Sequence, residues 1–248
     1  MTINKQIHKM KRIISTVAVL LFVTASFAQN QVISDANAQK RSIGSFHAIK
    51  VSHAIDLFLS QGNEEAVAVS AKTDEYRDRI KTEVENGVLK IWYDEDGKFW
   101  KNTGNKHLKA YVSFKTLDKL TASGASDVVM NGTLKGDALS MNMSGASDFK
   151  GSIGVRSLDV DLSGASDATI DGKVEDLVVE ASGASEFKGY DLETENCKAH
   201  ASGASDIKIT VNKELNAQAS GASGVYYKGN GVIRDLKSSG ASSISKKS

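Results

Sequence analysis

Carboxylates recur in the second half of the chain, each directly after the same four-residue motif. The five positions are Asp127, Asp148, Asp167, Glu186 and Asp206. If successive repeats stack as neighbouring strands, these side chains form a column with a spacing of about 4.8 Å. Calcium is a hard cation that prefers oxygen ligands, so such a column is a candidate calcium site.

The residues two places further along offer a different interpretation of the same column. Lys150, Lys188 and Lys208 fall on the same outward face and can offset three of the five acids without a metal. Aspartate can also accept hydrogen bonds from turn amides. We therefore favour a solvated column of acids, expect no metal and no cofactor, and keep the five acids as candidates for binding.

Both tryptophans of the chain lie in one segment before the repeats. Trp92, Phe99 and Trp100 lie in or next to a polar loop that spans residues 94–106. Exposed aromatic rings can stack on sugars or anchor a partner protein. They can equally cover the open end of a stack of strands, which must be protected. We expect the covering role and retain these residues as binding candidates.

The nucleophilic residues do not form a catalytic pattern. Ser-Gly-Ala-Ser is not the Gly-x-Ser-x-Gly elbow of hydrolases, and a serine nucleophile needs a positioned base. The histidines after residue 40, His47, His53, His107 and His200, are scattered without metal-ligand spacing. Cys197 falls at a position that alternation predicts to be buried. These observations predict a protein that is not an enzyme.

A repeated motif organises the second half of the chain. Ser-Gly-Ala-Ser begins at Ser123, Ser144, Ser163, Ser182, Ser202, Ser220 and Ser239, at intervals of 21, 19, 19, 20, 18 and 19 residues. Apolar residues occupy the positions one, three and five before its first Ser, and five and seven after it. Polar residues mostly separate them, which is typical of strands with one buried face.

Two all-β architectures fit a repeated strand, corner and strand: an antiparallel meander and a parallel β-helix. A two-residue Gly-Ala hairpin would place the apolar residues before and after it on opposite faces. A three-residue loop repairs this, but usually carries its glycine at a later position. We therefore predict a right-handed parallel β-helix with about 19–20 residues per coil.

The N-terminal residues have the layout of a secretory signal peptide. Four basic residues precede an apolar stretch over residues 13–23, and Ser26-Phe27-Ala28 supplies small residues for cleavage. The apolar stretch is too short for a membrane anchor. We expect a signal peptide over 1–28, a polar linker over 29–40 and an exported protein without a transmembrane segment, located in the periplasm, on the outer-membrane surface or outside the cell.

The region between the linker and the repeats is also rich in β-strand patterns. Val51–Ser60 alternates, and Ile80–Val84 and Val88–Tyr93 flank Asn86-Gly87, which favours a hairpin turn. We expect one domain over 41–245, with irregular first coils over 41–120 and regular repeats over 121–245. A separate small β domain before the repeats is the alternative.

These residues resemble a bacterial family, the putative autotransporter adhesin head GIN domain. The resemblance begins with Phe46–Ser52, continues through Ile55–Gly62 and Glu83–Ile91, and ends in the Ser-Gly-Ala-Ser-Asp repeats. It covers about residues 41–245. The resemblance implies an exported β-helical domain with an adhesive or surface role, and it implies no catalytic residues.

Composition narrows the possible functions further. The formal net charge is +1, and removal of the four basic residues in 1–28 leaves −3, without the basic surplus of a nucleic-acid-binding protein. One cysteine excludes an intramolecular disulfide framework. We expect an exported, non-catalytic envelope protein that binds a surface glycan or a protein. The alternatives are an envelope scaffold without a dedicated ligand and a polysaccharide-acting enzyme.

Overall fold

A computed structural model describes residues 35–95 and 105–248, which form a β-solenoid of about seven turns. The strands are β1 (Gln39–Arg41), β2 (Ala48–Val51), β3 (Asp56–Gln61), β4 (Ala66–Ser70), β5 (Ile80–Glu85), β6 (Val88–Tyr93), β7 (Lys109–Phe114), β8 (Lys119–Ala122), β9 (Val128–Met143), β10 (Asp148–Leu162), β11 (Asp167–Ala181), β12 (Glu186–Ala201), β13 (Asp206–Ala219), β14 (Gly224–Lys228), β15 (Val232–Ser238) and β16 (Ser243–Lys246). One short helix, α1 (Asp74–Asp78), lies between β4 and β5. The predicted signal peptide lies outside the described residues. No helix in the described part of the chain is long and apolar enough to cross a membrane.

The repeats stack in parallel with one repeat per coil, as predicted. Strand β10 pairs with β9 on one edge and β11 on the other, and β12 and β13 continue the same order. Equivalent residues of successive coils lie opposite each other. Leu158 pairs with Leu177, for example, and Leu177 pairs with Cys197. Each repeat therefore repeats the environment of its neighbours.

The predicted apolar positions fill the interior of the solenoid. In the middle coils they are almost completely buried, and Cys197 is a core residue between Leu177 and Leu215. The columns end at the last coil, where Leu236 is exposed. There the register shifts, so that Ile233 pairs with Leu215 and Arg234 is the extra residue of a bulge.

Two glycines interrupt an otherwise apolar column, and packing explains both. Gly151 and Gly189 follow Phe149 and Phe187 by two residues, and a Cβ at either glycine would meet the ring of its phenylalanine. In the intervening coil, Ala168 lies between the two phenylalanines. Small and large residues thus compensate one another within the interior.

Each Ser-Gly-Ala-Ser motif forms a corner between two parallel strands. Gly164 has a φ of +76°, and a Cβ there would lie 2.5 Å from the Gly145 carbonyl oxygen of the preceding coil. The amide of Ala165 donates to that same oxygen at 2.7 Å. Glycine is therefore required both by the left-handed backbone and by the close approach of successive corners.

The last serine of the motif is buried and bonded to the backbone. The Ser205 hydroxyl donates to the carbonyl of Ser202 in its own corner at 2.8 Å and approaches the carbonyl of Ala181 in the preceding coil at 2.9 Å. Ser223 repeats the arrangement one coil later. These hydroxyls satisfy main-chain groups and join adjacent coils.

The first coils do not stack in chain order. Strand β2 lies between β6 and β8, and β3 lies between β7 and β9, all in parallel. The segment that contains β2 and β3 is therefore inserted between a coil formed later in the chain and the first regular repeat. Residues 52–56 form its corner, with His53 and Ala54 at positive φ where the repeats have Gly-Ala.

Antiparallel strands cover the N-terminal end of the stack. Strand β4 pairs with β7, and β1 with β4, both antiparallel. The predicted hairpin of β5 and β6 is confirmed, with Asn86 at φ 52° and Gly87 at φ 76°. Thr73 caps α1 by accepting from the amide of Tyr76.

Candidate binding face

Parallel register brings the five predicted acids together in one outward column. Asp148 pairs with Asp167, Asp167 with Glu186, and Glu186 with Asp206, while Asp127 precedes the paired residues Val128 and Phe149. The amide of Asp167 donates to the carboxylate of Asp148 at 3.3 Å. At Gly224 and Ser243 the column loses its charge. We call these side chains the acidic column.

The inserted first coil adds a sixth carboxylate that the sequence analysis did not identify. Leu57 lies opposite Val128, and its amide donates to the carbonyl of Asp127 at 2.7 Å, so Asp56 adjoins Asp127. A signal was present, because Ser52, Ala54 and Asp56 have the Ser-x-Ala-x-Asp spacing of the repeats. The match to the repeat was not recognised because His53 stands where the repeats have glycine.

Two of the three predicted lysines neutralise the C-terminal half of the column. The Lys188 ammonium lies 2.7 Å from the Asp167 carboxylate and 3.0 Å from that of Glu186. Lys208 also pairs with Glu186. The expectation fails for Lys150, which forms no ion pair within residues 35–95 and 105–248.

The pKa values of the acids differ between the two halves of the column. Burial and the neighbouring carboxylates of Asp148 and Asp56 raise the pKa of Asp127. Burial also raises the pKa of Asp56, against the opposing effect of Lys109 and His107. For Glu186, burial is outweighed by Lys208 and Lys188, which lower its pKa. The N-terminal half of the column thus has repelling acids, and the C-terminal half has ion pairs.

Aromatic residues flank the acidic column on the same face. The rings of Phe58 and Tyr111 stack with centroids 5.2 Å apart, and both are half-buried. Further along the face, the Lys228 ammonium lies 4.8 Å from the ring centroid of Tyr190, and that of Lys247 lies 4.6 Å from Tyr226. The face therefore offers apolar contacts and both charges.

Of the three predicted aromatic residues, the structure describes Trp92, which lies outside the strands that carry the acidic column. Trp92 is the fifth of the six residues of β6 and is half-buried, opposite Lys81 of the hairpin. Phe99 and Trp100 lie outside the described residues, so whether these aromatics cover the end of the solenoid stays a prediction.

Candidates for binding a metal or activating a nucleophile are the His, Cys, Asp and Glu side chains of residues 35–95 and 105–248. Within the described residues no group of three or more His, Cys, Asp or Glu side chains is placed to hold a metal ion. The Ser52 hydroxyl lies 2.8 Å from His53 Nδ1, and His47 Nδ1 lies 2.9 Å from Asp118, but the two pairs use different histidines. Burial raises the pKa of the Cys197 thiol.

A shallow groove of about 340 Å³ lies away from the acidic column. Its lining residues are Val155, Arg156, Lys173, Val174, Glu175, Glu195 and Lys213. Ion pairs join Arg156 to Asp137 at 2.9 Å and Lys213 to Glu195 at 3.1 Å. Two cations that line this groove, Arg156 and Lys213, are thus held in ion pairs.

Comparison with known proteins now identifies the family. The model of the family described as putative auto-transporter adhesin, head GIN domain, matches residues 45–231. The chain belongs to this family. No curated protein matches the chain. The resemblance derived from the sequence motifs is thereby confirmed.

Solved structures of other bacterial proteins share the fold. A putative adhesin from Bacteroides fragilis is 19% identical with a TM-score of 0.79, and the match covers 85% of this chain and 96% of that one. A putative lipid binding protein from Parabacteroides distasonis is 21% identical with a TM-score of 0.64, over 85% and 98% of the two chains. A putative adhesin from Parabacteroides merdae is 19% identical with a TM-score of 0.65, over 85% and 95%.

Proposed function

We propose that this protein is an exported, non-catalytic adhesin-like module of the cell envelope. In this proposal the face of the acidic column binds a surface glycan or a protein. Family membership supports the adhesive role, and the basic, apolar and small-residue pattern of residues 1–28 supports export. The repelling acids in the N-terminal half of the acidic column support the binding role of this face.

The N-terminal half of the acidic column carries the proposal. Asp56, Asp127 and Asp148 occupy adjacent coils, and like charges directly opposite one another destabilise a sheet. A shift of the Asp127 pKa above its ordinary value means that its ionised form lowers the stability of the fold. Groups that oppose stability in this way are typical of functional surfaces.

The neighbouring aromatic pair strengthens this assignment. Phe58 lies two residues from Asp56 on the same outward side of β3, and Tyr111 stacks on it. Apolar contact area beside hydrogen-bond acceptors suits either a sugar ring or a protein surface with exposed cations. In this solenoid, buried side chains such as Phe149 and Phe187 occupy the interior, so that the outer face is the candidate surface.

Binding assays with a matched pair of variants test the proposal. The exported protein would be applied to glycan arrays, matrix proteins and whole cells. We expect Asp127→Asn with Asp148→Asn to weaken binding at least about tenfold, which corresponds to about 1.4 kcal/mol. Asp159→Asn with Asp161→Asn is the control, since it removes two exposed carboxylates from strand positions before the corner.

The outcomes separate a specific face from general charge effects. Loss of binding only in the Asp127 and Asp148 variant supports the proposal. Equal loss in both variants would show a non-specific effect of net charge and reject this face. Absence of binding to all glycans, proteins and cells would reject adhesion and leave the scaffold alternative.

A further inference from the structure

The C-terminal end of the solenoid exposes apolar side chains that other coils bury. Within the described part of the chain, the large apolar residues classed as exposed are Val232, Ile233 and Leu236, at 57%, 43% and 40% of their maximum. All three lie in β15, the outermost strand on its side of the stack. Exposed apolar residues concentrated on one edge indicate an interaction surface.

Ile233 and Leu236 occupy interior positions of a coil that no described residue covers, whereas Val232 lies opposite Glu214 at an outward position. Ile233 continues the column of Leu215, Leu236 that of Ala217, and Ile244 that of Val225. Among the described strands, β15 pairs with β13 alone, so its other edge presents free backbone amides and carbonyls. Such an edge is a template for another strand.

The two ends of the solenoid differ in this respect. At the N-terminal end, β4 and β1 add antiparallel strands beyond the parallel stack, and β5 folds back on β6. The last coil, formed by β15 and β16, has no corresponding antiparallel strand in the described residues. An end-to-end contact would therefore use the C-terminal end.

We propose that the C-terminal end binds the same end of a second copy, with β15 antiparallel to its counterpart about a twofold axis. The residues of β15 are complementary to those of a second β15 in antiparallel orientation. If the axis passes between Arg234 and Asp235, each arginine faces the aspartate of the other copy, and each Ile233 faces a Leu236. Opposite charges and apolar pairs directly across an antiparallel ladder are both favourable.

The bulge at Arg234 makes this pairing consistent with the solenoid interior. In a regular strand, positions 233 and 236 would point to opposite faces, because side chains alternate. The extra residue restores both Ile233 and Leu236 to the inward face, beside Leu215 and Ala217. Arg234 then points outward, where it pairs with Glu214. The interior side chains of one copy would thereby contact those of the other and form one continuous apolar interior.

The proposed contact would make the adhesin-like module bivalent. A C-terminal pairing leaves the two N-terminal ends, and with them the N-terminal halves of the two acidic columns, at opposite ends of the assembly. Two linked binding surfaces gain apparent affinity without any new contact to the ligand. The dimer itself does not depend on the proposed binding function, and its test does not use a ligand.

Sedimentation of the exported protein over a wide concentration range tests the proposal. We expect a closed dimer, and we expect Ile233→Lys to raise the dissociation constant at least about tenfold. The control is Thr169→Lys, which adds the same charge at an exposed position on a middle coil. Circular dichroism verifies that each variant is folded. If Ile233→Lys does not fold, Val232→Lys replaces it, since Val232 is the more exposed residue.

Each result decides for or against the twofold contact. A dimer that is lost in the β15 variant and retained in the control supports it. A monomer at all concentrations overturns it, as does a dimer that the β15 variant leaves unchanged. Chains that grow without limit would indicate a head-to-tail contact and also overturn the proposal.

Discussion

Substitution of one corner glycine isolates the contribution of corner stacking to stability. Gly164 has a φ of +76°, and an added Cβ would lie 2.5 Å from the Gly145 carbonyl oxygen. Gly132 is the matched control, with a φ of +82° and no atom within 4 Å of an added Cβ. Alanine at either position incurs the cost of a left-handed backbone, which is roughly 1–2 kcal/mol.

Only Gly164→Ala also disturbs the neighbouring coil. The Ala165 amide donates to the same Gly145 oxygen at 2.7 Å, so displacement of that carbonyl weakens a hydrogen bond worth about 0.5–1.5 kcal/mol. Adding the displacement of packed backbone, we expect Gly164→Ala to cost about 2–4 kcal/mol and Gly132→Ala about 1–2 kcal/mol.

Guanidinium unfolding followed by circular dichroism measures both values. The midpoints should fall in the order wild type, Gly132→Ala, Gly164→Ala, with unchanged slopes. Equal losses in the two variants would refute the reasoning, because they would show that left-handed backbone alone, and not the contact between corners, requires glycine. A change in slope would mean that single coils unfold separately.

Three further outcomes follow from the interior and the acidic column. Phe187→Ala should lower the free energy of unfolding by about 3–5 kcal/mol, because the adjacent Gly189 has no side chain to fill the space; a loss below that of Gly132→Ala would contradict this. Asp127→Asn should raise the melting temperature at neutral pH, since the raised pKa of Asp127 means that its ionised form opposes folding. That gain should vanish when the pH falls below the ordinary aspartate pKa, where the wild-type carboxyl is protonated too, and a gain that persists there would exclude an electrostatic cause. The Cys197 thiol should react with a disulfide reagent only after unfolding, since burial raises its pKa and shields it; rapid reaction of the native protein would contradict its core position.

The regular coils could be predicted from the sequence because each position is repeated seven times. Alternation around Ser-Gly-Ala-Ser identified the inward columns, and Asn86-Gly87 identified the hairpin. The acidic column followed from the same register. These features depend on local patterns, which a sequence displays directly.

The features that were missed depend on contacts between distant segments. The position of β2 and β3 between later strands cannot be read from spacing, and its corner has His53 where the repeats have glycine. The bulge at Arg234 turns both Ile233 and Leu236 to the inward side of the coil, which strict alternation does not predict. The sequence also could not predict that Lys150 lacks an ion pair with the described residues, since its position in the repeat matches that of Lys188.

The inserted first coil determines the order in which the chain can assemble. In the repeats, pairing partners are separated by 19 residues or so, whereas the inserted coil bonds across 71 residues. Closing the longer loop costs about 1.2 kcal/mol more in chain entropy. Because β6 and β8 both follow β2 in the chain, and β7 and β9 both follow β3, the inserted coil can pair on both edges only after both of its neighbours have been synthesised. If folding begins in the C-terminal repeats and this segment pairs last, its insertion would be the rate-limiting step. Once inserted, the coil would prevent the N-terminal strands from unfolding separately.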